Sequence, residues 1–191
     1  MNIAANTTEG NAPQITVAQR LAGKYMTFKL AAEEYGLEIL KVRDVIGLME
    51  ITRVPKTMEF IRGVINLRGK VIPVVDLRLK FGMEATALTE QTVIIVVQFA
   101  SGEREMTMGI LVDEVQEVLD IAAEGIEPPP DFGVGSVDTD FILGVGKSEK
   151  RVIFLLDIGR VLSSAEVRHM DTVHWATETG SRATAETESN D

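Results

Sequence analysis

The sequence predicts an all-β protein with short helices, built as two small barrels from an internal duplication. Three observations predict it: short Val- and Ile-rich runs set off by Gly, Pro and charged residues, segments that recur in the same order, and few stretches of helical periodicity. The runs are Lys24–Leu30 (KYMTFKL), Val71–Val75 (VIPVV), Thr92–Phe99 (TVIIVVQF), Gly109–Val112 and Val152–Leu156 (VIFLL). Helical spacing is confined to Leu77–Phe81 and to Ile158–Val167 near the end.

The repetition fixes the unit. Gly36–Val45 (GLEILKVRDV) lines up with Gly109–Val118 (GILVDEVQEV) at an offset of 73. Phe60–Val64 (FIRGV) matches Phe141–Val145 (FILGV), and Val71–Leu77 matches Val152–Ile158, both at an offset of 81. Order is kept and the offset changes once, as an eight-residue insertion in the second copy requires. A unit of about 65–75 residues is the size of a small barrel. We therefore expect barrel one over about 24–82, barrel two over about 91–163 and a terminal helix over about 158–167. Residues 1–23, poor in charge and apolar runs, read as a flexible arm, and 169–191, rich in Thr, Glu and Ser, as a disordered acidic tail.

Composition removes whole classes of chemistry. The 191 residues contain no Cys, which excludes disulfides, thiolate nucleophiles and Cys-ligated metal sites. With 19 basic and 29 acidic residues the net charge is −10, against nonspecific nucleic-acid binding. No apolar run approaches the ~20 residues that span a bilayer, so no membrane insertion is expected and the cytoplasm is the default address. The charge is divided unevenly: residues 24–82 carry 11 basic and 7 acidic residues, whereas 83–168 carry 6 and 16. Such a dipole orients a partner during encounter.

Motifs that might carry chemistry are incomplete. Gly146-Lys147-Ser148 lacks the upstream Gly of a phosphate loop and leads into a strand, so it reads as a hairpin turn. Glu166 and His169 have the spacing of one bundle ligand pair where two pairs are needed. Asp138 and Asp140 lack the Gly and Glu of a calcium loop. Asp76 and Asp157, at equivalent strand ends, read as caps of the turn that follows, although a carboxylate-only hydrolase stays open as a reading. No cofactor or metal is expected, and no enzymatic activity. What stands out is FIRGVINLRGKVIPVVDLR (60–78), where Arg62, Arg68, Lys70 and Arg78 punctuate an apolar stretch. Arg beside exposed apolar side chains is a common composition for protein-binding patches.

These residues resemble a known family. YGLEILKVRDVI (35–46), FIRGVINLRGKVIPVVDLRLKFG (60–82), GILVDEVQEVLDI (109–121) and FILGVGKSEKRVIFLLDI (141–158) are similar to the chemotaxis coupling protein family CheW, over about Lys24 to Val167. The resemblance implies two SH3-like five-stranded barrels and a non-enzymatic adaptor. Its partners would be the cytoplasmic hairpin tip of chemoreceptors and the regulatory domain of the histidine kinase CheA. An apolar groove between the barrels would hold the receptor tip. By motif, Val42, Asp44, Gly63, Arg68 and Gly109 match positions tied to receptor or kinase coupling, and Ile65 and Leu67 are added as apolar neighbours of Arg68. The alternative is a CheW-like regulatory module of another two-component pathway.

Overall fold

A computed structural model of the chain describes residues 16–101, 104–129, 140–163 and 165–167. In the first copy lie strands β1 (Gly23–Leu30), β2 (Glu33–Glu38), β3 (Val42–Gly47), β4 (Ile61–Leu67) and β5 (Lys70–Asp76), followed by helix α2 (Leu77–Lys80). The second copy holds β6 (Val93–Ser101), β7 (Arg104–Val112), β8 (Glu114–Ile121), the short β9 (Ile126–Glu127), β10 (Ile142–Ser148) and β11 (Arg151–Leu156), then helix α3 (Ile158–Val161). Helix α1 (Val17–Leu21) precedes both. The duplicated sequences fall on equivalent elements: β2–β3 on β7–β8, β4 on β10, and β5–α2 on β11–α3.

The strands form two sheets, and neither is a contiguous half of the chain. Sheet I runs β8-β1-β2-β11-β10-β9 and sheet II runs β3-β6-β7-β5-β4. Each copy therefore gives its first two strands to one sheet and its later strands to the other. Consecutive barrels over 24–82 and 91–163 do not describe this arrangement. The reason is local: β2 passes into β3 through a 3₁₀ turn at Ile39–Lys41, and only Asp113 separates β7 from β8. These links are not hairpin turns, so the chain crosses between sheets. The gap left beside β2 is filled by parallel β11, with Tyr35 opposite Phe154. Equivalent β7 takes parallel β5, with Ile110 opposite Val75.

Double-sided burial explains the unbroken apolar runs. Ile94 and Val96 of β6 point into sheet II with Ile65, Ile72, Val74 and Leu111. Their neighbours Ile95, Val97 and Phe99 face the other way, into the core between the sheets. In β11, Ile153 and Leu155 fill sheet I while Phe154 and Leu156 join the central core. That core also takes Phe28, Leu30, Leu37, Val75, Leu77 and Ile110. Stacked rings line it, Phe28 with Tyr35 at 5.8 Å and Phe81 with Phe141 at 4.8 Å between centroids. The space between the two sheets is thus packed core.

Both copies use one device at FIxGV. Gly63 lies at a register shift in the β4–β5 pair, and Gly144 at the same place in β10–β11. At each a second backbone crosses so closely that a Cβ would stand 2.2 Å from the Thr52 carbonyl oxygen, or 2.8 Å from that of Glu127. Gly63 also has φ of +140°, which side chains disfavour. The expected caps are present: Asp76 accepts from the Arg78 and Leu79 amides, and Asp157 from Gly159. The GKS sequence ends β10 in a hairpin, as expected.

Two terminal expectations change. Val17–Leu21, assigned to a flexible arm, form a helix with a capping box between Thr16 and Gln19. Its Ala18 and Leu21 pack on the interior of sheet I, and the buried Tyr25 hydroxyl donates to the Leu21 carbonyl at 2.6 Å. Burial, helped by nearby Glu38, pushes that phenol up to about 12, so it stays a donor. The helix expected over 158–167 stops at Val161. A second helical turn then starts from Ser163, whose amide donates to Glu166 while its hydroxyl accepts from the Glu166 amide. The tail over 169–191, with His169 and His174, lies outside the described residues, as do residues 1–15 and Asp138. Among the described residues no helix is long and apolar enough to cross a membrane, and no acidic or His cluster could hold a metal.

Two outcomes follow. Gly63→Ala should lower unfolding free energy by about 3 kcal/mol, read as a shift in urea midpoint, because the 52–53 backbone must move. Burial alone would raise the Glu166 pKa, but hydrogen bonds from Lys80 and Ser163 outweigh it and hold the group below its ordinary 4.5. A depressed folded pKa means stability that is present above about 4.5 and lost as pH falls through the folded value. Lys80 donates to both Glu166 oxygens, at 2.7 and 2.8 Å. Glu166→Gln should therefore cost about 1.5–3 kcal/mol at pH 7 and show a smaller further loss on acidification, measured by urea melts from pH 7 to pH 3.

Candidate protein-binding surface

The β4–β5 turn is built to present an arginine. Asn66 Oδ1 accepts from the Gly69 amide at 2.8 Å, closing a tight turn over Asn66-Leu67-Arg68-Gly69. Arg68 and Gly69 take φ of +53° and +85°, the left-handed pair such a hairpin needs. The Arg68 side chain is 81% exposed, yet its Nη2 reaches Asp44 Oδ2 at 3.1 Å. Asp44 Oδ1 meanwhile accepts from the Val45 amide at 2.9 Å. The carboxylate is fixed at both oxygens.

This pair spans sheet II from one end to the other. Asp44 is on β3 and Arg68 at the end of β4, the first and last strands of the sheet order. A side-chain bond between them requires the sheet to be rolled. Beyond Asp44, Val45, Leu48 and Met49 are exposed at 37–39%, and Leu40, on the turn before β3, at 76%. Arg43 is exposed as well and approaches Glu105 at 3.9 Å. The result is an apolar run rimmed by charge, with an Arg held ready at its margin.

The seven residues singled out from the sequence divide into two groups. Asp44 and Arg68 meet directly, and Val42, half-buried, starts the same strand and packs on the central core. The others lie deeper: Ile65, Gly63 and Gly109 are buried, and Leu67 is partly buried. Ile65 is 1% exposed inside sheet II, and Leu67 is partly buried against that same cluster. Gly63 and Gly109 are buried backbone positions; a Cβ on Gly109 would lie 2.7 Å from Ile94 Cγ2. They shape the strands that carry the surface. Sequence reasoning missed Leu40, Val45, Leu48 and Met49. The signal was available: VRDVIGLM breaks strand alternation after Ile46 with consecutive apolar residues and no turn.

Comparison with known proteins places this geometry. A family model for the CheW-like domain matches residues 24–166. The chemotaxis protein CheW of Klebsiella aerogenes is 40% identical over 164 residues, covering 83% of this chain and 96% of that one. That of Bacillus subtilis is 33% identical over 149 residues, covering 78% and 92%. Among solved structures, the scaffolding protein TtCheW from Thermoanaerobacter tengcongensis aligns with a TM-score of 0.67 at 37% identity, covering 76% of this chain and 96% of that one. A matched domain over most of the chain, and relatives covered nearly end to end, settle the family: this chain is a member of the CheW family, whose fold is the paired β-barrel described above.

Proposed function

We propose that the chain is a scaffold of bacterial chemotaxis signalling, joining the cytoplasmic hairpin tip of chemoreceptors to the regulatory domain of the histidine kinase CheA without chemistry of its own. The observation that carries this reading is the Arg68–Asp44 pair beside exposed Val45, Leu48 and Met49. An exposed ion pair adds at most about 1 kcal/mol to stability, so its fixed geometry has more effect on recognition than on folding. Arg68 is held in a pose from which its remaining N–H groups can meet carboxylates, while the apolar run supplies buried area. Val42 connects this face to the central core, which gives a docked partner mechanical contact with both barrels. Signal passes by rearranged contacts at membrane-associated receptor arrays, and the partner choice is set by this face.

The test is reconstitution of CheA autophosphorylation with receptor-containing membranes. Wild type should activate the kinase. Arg68→Glu should keep its unfolding free energy within about 0.5 kcal/mol of wild type and bind at least tenfold more weakly. A folded Arg68→Glu protein that activates normally overturns the role of this face. Wild type that binds neither receptor nor kinase overturns the function.

A further inference from the structure

The uneven charge of the two copies acquires a meaning once the strands are traced. Each sheet needs both copies, so the molecule is in effect a complex between residues 23–83 and residues 93–167, tethered by an exposed stretch over 84–91. Where these two partners meet, the cation comes mainly from the first copy and the acid from the second. Lys24 bonds Asp120 at 3.0 Å, Arg78 bonds Asp113, and Lys80 bonds Glu166. Arg151 with Glu34, at 3.6 Å, runs in the opposite sense.

The duplication shows what self-pairing would leave behind. Each position in one copy has an equivalent in the other, so the contact that a copy would make with itself can be read from the offsets. Asp113 is equivalent to Leu40, and Asp120 to Gly47, at the offset of 73. If two first copies paired, Arg78 would therefore face Leu40 in a place where its side chain is only 16% exposed, and Lys24 would face a glycine. Arg78 and Lys80 are equivalent to Gly159 and Val161 at the offset of 81. If two second copies paired, Asp113 would face Gly159 with no cation to balance it. Leaving a partly buried charge unpaired is costly, a penalty that each self-pairing carries and the mixed pairing does not.

We propose that the division of charge between the copies is a pairing code. It selects first copy with second copy over either copy with itself, steers their encounter, and makes the two halves complementary partners that assemble even when the tether is cut.

The test uses the full chain with a protease site placed between Ala87 and Leu88, cleaved after folding. The nicked protein should elute as one 1:1 complex. After unfolding in urea and dilution, its halves should reassemble at a rate that falls at least tenfold between 0.02 and 0.5 M salt. Asp120→Lys sets two cations against each other at an exposed pair, where folding is spared, and should slow reassembly about threefold. Adding Lys24→Glu should restore it. Halves that separate on nicking, that self-associate as readily as they pair, or that reassemble at a rate indifferent to salt and to both substitutions overturn the proposal.

Discussion

Parallel pairing of β2 on β11 and of β5 on β7 is the constraint on which the rest of the structure depends. Two parallel strands cannot be joined by a tight turn, so these pairs form only between chain segments that are remote in sequence. They commit each hairpin at the start of a copy to the sheet of the other copy. From that follow the crossings at Ile39–Lys41 and Asp113, and a central core shared by residues of both copies. Mutual dependence replaces the independence that two consecutive barrels would have had.

The face that carries Asp44 and Arg68 is a by-product of the first crossing. A chain that leaves sheet I at Lys41 and enters sheet II at Val42 brings Asp44 to the edge opposite the β4–β5 turn. Rolling the sheet then sets Arg68 against it. The apolar residues that follow have no inward place left, because Ile46 already takes the interior position against the sheet II cluster. Val45, Leu48 and Met49 are left at the surface by geometry, which is the condition for a partner to use them.

Glycine placement shows how such a face is kept in register. Gly63 and Gly144 occur at equivalent bulges because a second backbone passes over each. Gly109 sits in mid-sheet because Ile94 fills the space a side chain would need. Substitution at these positions would reach a partner only through displaced strands. The same family motif therefore mixes exposed residues with buried residues that position them.

The sequence by itself determined the elements: the Val and Ile runs, the duplicated FIxGV and strand-end Asp motifs, the turn that exposes Arg68, and the absence of cysteine chemistry. These depend on neighbours a few residues apart, where periodicity, capping and turn chemistry act. Only the tertiary structure decided which copy each strand joins, because equivalent strands of a duplication present nearly the same pattern and local preference cannot choose between them. It also decided that Ile65 is interior while Val45 is not, since both are β-branched residues on strands and differ only in which face the rolled sheet encloses. Burial and long-range pairing are properties of the assembled core, and no residue carries them alone.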